Sequence, residues 1–166
     1  MTEGAQADIR YGGRNSRRWS EDWLTPAPLK QAIYERWQLD YDPCPHPRPE
    51  GDGLVAPWHG RAYVNPPYGN QTVNWVRKAL SELEFRRIDI AVFLIHARTD
   101  TRTFHDFILP RAEELYFVRG RVRFERPDGS SASSPFPSMI VVFDRQRPGP
   151  PKVDAWPPFP KRTPFG

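Results

Sequence analysis

One cysteine, Cys44, stands alone in a chain of 166 residues, so no disulfide can close within it and no cysteine pair can anchor a metal. Long apolar runs are missing as well. The longest, Ile90 to Ile95, falls far short of the roughly 20 residues that a membrane-crossing helix requires. No charged start followed by an apolar stretch marks a signal peptide. These absences lead us to expect a reducing, cytoplasmic setting and no membrane partner. Lysine is scarce too: Lys30, Lys78, Lys152 and Lys161 face 20 arginines. Arginine suits bidentate contacts to phosphate and to guanine edges.

What is present is unevenly placed. The net charge is +4, yet from Arg145 onward five basic residues (Arg145, Arg147, Lys152, Lys161 and Arg162) meet one acid, Asp154. Residues 1–144 are therefore neutral in sum. A basic tail can hold phosphate by counterion release, or it can simply be a solvated end. The segment 145–166 also carries prolines at 148, 150, 151, 157, 158, 160 and 164, and 1–18 is polar without periodicity. We expect a flexible N-terminal segment over 1–18, one compact domain over 19–144, and a Pro-rich basic tail over 145–166.

Within the compact part, Thr25 followed by Pro26 reads as an N-cap and first helical residue, with Leu29, Ile33 and Trp37 recurring every four residues. Leu39 to Asp42 reads as a short strand, halted by Pro43 and Pro45. Arg61 to Val64 makes a second strand, stopped by Asn65-Pro66-Pro67-Tyr68-Gly69. Thr72 to Phe85 shows helical spacing through Val73, Val76, Leu80 and Leu83, and Asp89 to Ile95 is an apolar, β-branched strand. Glu114 to Val118, Arg121 to Phe124 and Met139 to Phe143 read as later strands. The expected architecture is a three-layer α/β fold, its sheet mostly parallel with an antiparallel C-terminal edge.

Ligands of open α/β sheets bind beyond the carboxyl ends of strands, and Asn65 to Tyr68 follows such an end. The loop is also explicable as a plain Pro-Pro turn. Its chemistry nevertheless fits one reaction closely. The amino nitrogen of adenine has its lone pair delocalised into the ring. Two fixed acceptors, the Asn65 side-chain oxygen and the Pro66 carbonyl, can hold its N–H groups and turn the lone pair toward a methyl donor. Pro66 and Pro67 keep those acceptors rigid, and Tyr68 offers a π face for an extruded base. No strong general base is required, because the nitrogen becomes acidic as it is methylated.

Tyr63-Val64-Asn65-Pro66-Pro67-Tyr68-Gly69 resembles the catalytic motif of amino-methyltransferases. Trp23-Leu24-Thr25-Pro26, Leu39-Asp40-Tyr41-Asp42-Pro43-Cys44, Asp52-Gly53-Leu54 with Trp58, and Ala97-Arg98-Thr99-Asp100-Thr101 recur in this order in the small phage-type DNA adenine methyltransferases. Arg119-Gly120-Arg121 and Pro135-Phe136-Pro137-Ser138 extend the resemblance, which spans about Trp19 to Phe143. It implies a reduced, Rossmann-like S-adenosylmethionine-dependent methyltransferase core acting on the 6-amino group of adenine in double-stranded DNA, in a bacterial or phage-infected cell. Asn65, Pro66, Pro67 and Tyr68 would be its catalytic residues. By the same resemblance Thr25, Pro26, Asp42, Pro43, Asp52 and Asn65 would hold S-adenosylmethionine. Pro45-His46-Pro47 stands where larger methyltransferases place a glycine-rich turn.

Arg119, Arg121 and Arg123 alternate and would share one face of a strand, either as a solvated face or as a phosphate contact. Arg98 and Arg102, with Asp100 between them, follow the strand that ends at Ile95. These five arginines are the candidate DNA-binding residues, with ion-paired scaffolding as the plain alternative for Arg98 and Arg102. Cys44, His46 and His59 match no zinc spacing, so no metal is expected. Two other readings remain open: a methyltransferase for another planar amino group (cytosine 4-amino, RNA adenine or protein glutamine), and a catalytically silent nucleic-acid-binding module.

Overall fold

The computed structural model describes residues 23–46, 53–145 and 150–157. The expected segment 1–18 and the tail residues 146–149 and 158–166 lie outside the described residues. Helix α1 runs Ala27–Trp37, β1 Gly60–Val64, α2 Thr72–Glu84 and β2 Ile88–His96. A π-helix, Thr103–Ile108, then leads into β3 (Glu114–Val118), β4 (Arg123–Glu125), β5 (Ser131–Ser133), β6 (Ser138–Asp144) and β7 (Lys152–Trp156).

Five strands form one sheet in the order β1-β2-β6-β3-β7, while β4 and β5 pair separately. β1 is parallel to β2 and β3 to β7, whereas β6 is antiparallel to both β2 and β3. Four strands thus point one way. The antiparallel strand was expected at the C-terminal edge but sits in the middle of the sheet. The reason is burial: Ser138 to Phe143 are buried without alternation, a pattern that only a strand covered on both faces can satisfy.

Side chains of β2 divide between two apolar clusters. Ala91, Phe93 and Ile95 pack with α2 and the π-helix through Val76, Leu83, Phe104 and Ile108. Ile90, Val92 and Leu94 pack with α1 through Ile33 and Trp37, and with Phe124. The period of two in the strand and of about four in the helices accounts for both sets.

Three further expectations are corrected. Lys152–Trp156, placed in the tail by its prolines, adds β7 to the sheet edge beside β3. The prolines bracket this stretch without entering it, so its donors remain available. Trp156 then stacks on Trp37 at 5.4 Å and meets Tyr116 edge-on at 5.6 Å. Leu39 to Asp42 is not a strand but a single parallel bridge, Tyr41 to Ala62. There Tyr63 N–H donates to the Tyr41 carbonyl at 2.8 Å, and the prolines that follow end the ladder. Finally, only Arg123 of the three alternating arginines lies in a strand. Gly120, at φ +75°, turns the chain out of β3 before β4 begins.

Candidate active site

Asn65 directly follows β1, and its amide is held at both ends. Its Nδ2 donates to the Trp23 carbonyl at 3.1 Å, and its Oδ1 accepts from the Tyr68 hydroxyl at 3.0 Å. These two partners fix which end of the amide faces the tyrosine. Burial holds the Tyr68 phenol well above its ordinary pKa, with Tyr63 adding to the effect. It is a donor at any working pH.

A cavity of about 270 Å³ opens here, lined by Thr25, Lys30, Asp42, Asn65, Pro66, Pro67 and Tyr68 among others. Of the residues expected to hold a cofactor, Thr25, Asp42 and Asn65 come together at this wall. Pro26 and Pro43 sit beside lining residues in sequence without lining it themselves, and Asp52 lies outside the described residues. Thr25 is not the expected N-cap. The cap position of α1 belongs to Pro26, whose ring offers no capping group, and the Thr25 hydroxyl is instead shared with the buried Tyr63 hydroxyl at 2.6 Å.

Asp42 accepts from the Cys44 N–H at 2.9 Å and faces Lys30 at 3.3 Å. Burial raises its pKa, while the attraction of Lys30 pulls the other way. One charge of each sign therefore stands at the cavity wall. Sequence reasoning missed Lys30 and Tyr63. Lys30 falls beside the apolar positions of α1, and only the fold brings it to Asp42.

A second cavity of about 640 Å³ lies across Tyr68, with Asn70, His96, Arg98, Thr101 and Phe136 in its lining. His96, at the carboxyl end of β2, stacks flat on Tyr68 with ring centroids 3.9 Å apart and planes 7° from parallel. Burial, then Arg98 and Arg121, lower its pKa to about 4, so the ring is neutral at ordinary pH. His96 and Phe136 were missed as well. The available signal was position, since His96 ends the strand next to the one that carries Asn65.

Among the candidate DNA-binding residues, Arg98 lines the second cavity and grips Asp100 with two 3.0 Å bonds. Arg102 is 96% exposed at its side chain and faces Asp106 at 3.4 Å. Arg123 donates to Ser131 at 2.9 Å. Arg102, Arg119, Arg121 and Arg123 are exposed and line neither cavity. Among the described residues no three of His, Cys, Asp and Glu gather as metal ligands, and no helix is long and apolar enough to cross a membrane.

A mixed sheet with two chambers meeting at one tyrosine beyond a strand's carboxyl end defines an α/β protein suited to bringing two ligands together. The chain belongs to the DNA N-6-adenine-methyltransferase (Dam) family, whose model matches residues 15–153. Membership makes it an adenine-specific DNA methyltransferase with DNA as substrate, and a methyltransferase family implies S-adenosylmethionine as methyl donor. No curated protein and no solved structure matches the chain.

Proposed function

We propose that the chain transfers a methyl group from S-adenosylmethionine to the 6-amino group of an adenine extruded from duplex DNA, using Asn65-Pro66-Pro67-Tyr68 on a reduced Rossmann-like core of the phage type. The observation that carries this reading is the held amide of Asn65, its Oδ1 turned toward Tyr68 at the wall of the smaller cavity. A carbonyl oxygen fixed by its own Nδ2 bond accepts an amino N–H without reorganising.

The smaller cavity fits the cofactor by its donor set. The amino-acid end of S-adenosylmethionine carries an ammonium and a carboxylate, and Asp42 and Lys30 offer the two opposite charges. Bound there, the group supplies an electrophilic sulfonium methyl. Asn65 orients the nucleophile, the prolines limit the loop's freedom, and Tyr68 presents its ring to the base. The Tyr68 phenol stays protonated, so it takes up no proton from the substrate. The amino proton leaves to solvent once methylation has made it acidic. Arg98, Arg102, Arg119, Arg121 and Arg123 are assigned to the DNA backbone, where each guanidinium can meet a phosphate.

Incubation with labelled S-adenosylmethionine and unmethylated duplex DNA, followed by nucleoside analysis, tests the reading. Label in 6-methyladenine is expected. Label in 4-methylcytosine, or only in RNA or protein, would overturn it.

A further inference from the structure

The smaller cavity carries one more carboxylate than the facing pair of Lys30 and Asp42 accounts for. Glu125, the last residue of β4, lines it as well. Two backbone bonds stitch Glu125 to the segment ahead of α1: the Leu24 N–H donates to the Glu125 carbonyl at 2.8 Å, and the Glu125 N–H donates to the Leu24 carbonyl at 3.0 Å. Residues paired in this antiparallel manner project their side chains to the same face, and Leu24 and Glu125 both line the cavity. Phe124, one residue earlier, turns the other way into the apolar cluster and meets Tyr68 edge-on at 5.6 Å. Glu125 is exposed, and no described cation pairs with its carboxylate. Arg126, the next residue, instead lies over the Trp23 ring at 4.5 Å and does not line the cavity. Apart from the imidazole of His46, the charges on the wall are therefore Lys30 and Asp42, which offset each other, and Glu125, which nothing offsets.

We propose that Glu125 is the residue by which this cavity tells the charged methyl donor from its spent product. The proposal rests on the reading of the cavity as the S-adenosylmethionine site. The donor holds an ammonium, a carboxylate and a sulfonium, and is a net cation. When the methyl group passes to the amino nitrogen, the bonding pair stays on sulfur, which becomes a neutral thioether, and the nitrogen sheds a proton to solvent. S-adenosylhomocysteine, the product, is thus a neutral zwitterion that lacks one methyl group and one unit of charge. Lys30 and Asp42 meet the amino-acid end, which both molecules share, so the pair cannot separate them. A further carboxylate can. Glu125 attracts the net cation and has no such hold on the neutral product, so it favours loading of fresh cofactor and departure of the spent one. Its exposure keeps the effect to a few-fold, because water and salt screen the charge.

Calorimetric titration of the full chain, without DNA, compares S-adenosylmethionine, S-adenosylhomocysteine and sinefungin, in which a protonated amine replaces the methylated sulfonium. The wild type should bind the two cationic ligands more tightly than the neutral product. Glu125→Gln should weaken both cationic ligands roughly 2- to 5-fold, the range of one exposed charge pair, and leave the product unchanged. Glu125→Lys, which reverses the charge, should deepen the loss, and Glu125→Asp should keep the preference. Raising the salt concentration should shrink the preference of the wild type and not that of Glu125→Gln. Glutamine retains the backbone bonds to Leu24, and thermal unfolding checks that the fold is kept. An equal change for all three ligands would mark a structural role and overturn the proposal, as would no change for any of them. The two readings fail differently. If none of the three ligands binds the wild type, the cofactor reading of the cavity falls and the proposal with it; if all three bind and Glu125→Gln moves no ratio, only the selectivity is lost.

Discussion

In the proposed mechanism Asn65 is the residue at which fold and chemistry would meet, since its Nδ2 bond to Trp23 aims its Oδ1. Asn65→Ala should lower turnover by orders of magnitude while leaving S-adenosylmethionine affinity nearly unchanged, because the lost contact belongs to the target base. Single-turnover methylation and calorimetric cofactor titration measure the two quantities; equal turnover would remove Asn65 from the mechanism. If Tyr68 stacks on an extruded base as proposed, its ring should matter more than its oxygen. Tyr68→Phe should keep most activity and Tyr68→Ala should lose about 1–3 kcal/mol of base stacking, with a mismatched target adenine recovering part of the loss. If Tyr68→Phe were as damaged as Tyr68→Ala, the hydroxyl would be the working group. His96 makes a pH prediction. Its pKa falls from 6.5 to about 4 on folding, so between those values the unfolded chain binds the additional proton. Its stabilising contribution is complete above about pH 6.5 and is lost as pH falls toward 4. Thermal unfolding of the wild type and His96→Phe across this window should show a shallower slope in the variant, which keeps the flat ring without the titration. Identical slopes would contradict the shift. Comparing the two proteins cancels the opposite drift from Asp42, whose raised pKa is common to both.

At the scale of elements, β7 carries more than its five residues suggest. Its Trp156 is 8% exposed and closes an aromatic group with Trp37 and Tyr116. Trp156→Ala should destabilise the domain by about 3–5 kcal/mol, the usual range for a buried tryptophan, read from the urea midpoint. A change under about 1 kcal/mol, the scale of a surface substitution, would mean that β7 is a peripheral strap. Sequence patterns located α1, α2, β1, β2, β3 and β6 within one or two residues at each end, because buried faces impose periods that sequence displays. Three features escaped them. The π-helix Thr103–Ile108 shows no distinctive period over its single turn. β5, the partner of a β4 that the sequence pattern begins two residues early at Arg121, has only three residues, too few to display alternation. β7 was hidden by the prolines on either side of it. For Thr25 the local rule named a cap, and a buried phenol from β1 claimed the hydroxyl instead.

Across the whole molecule the charge is carried by the C-terminal part, since residues 1–144 sum to zero. Deleting 158–166 removes Lys161 and Arg162 while sparing β7. If both residues meet phosphate, the slope of log affinity for duplex DNA against log salt should flatten by about 1.8. An unchanged slope would make that end a bystander, and a deletion starting before Lys152 would confound the test with loss of a strand. The sequence by itself determined the apolar periods, the strand ends, and the loop of acceptors and prolines at Asn65 to Tyr68, because each depends on neighbours within a few residues. It also carried the ordered motifs by which the family is recognised. Tertiary structure alone decided that β6 runs against its neighbours at the centre of the sheet, that Lys30 faces Asp42, and that His96 lies flat on Tyr68. Those pairings join residues 12 or more positions apart. They follow from which strands share a sheet and which faces must be covered, conditions that exist only when the whole chain is packed.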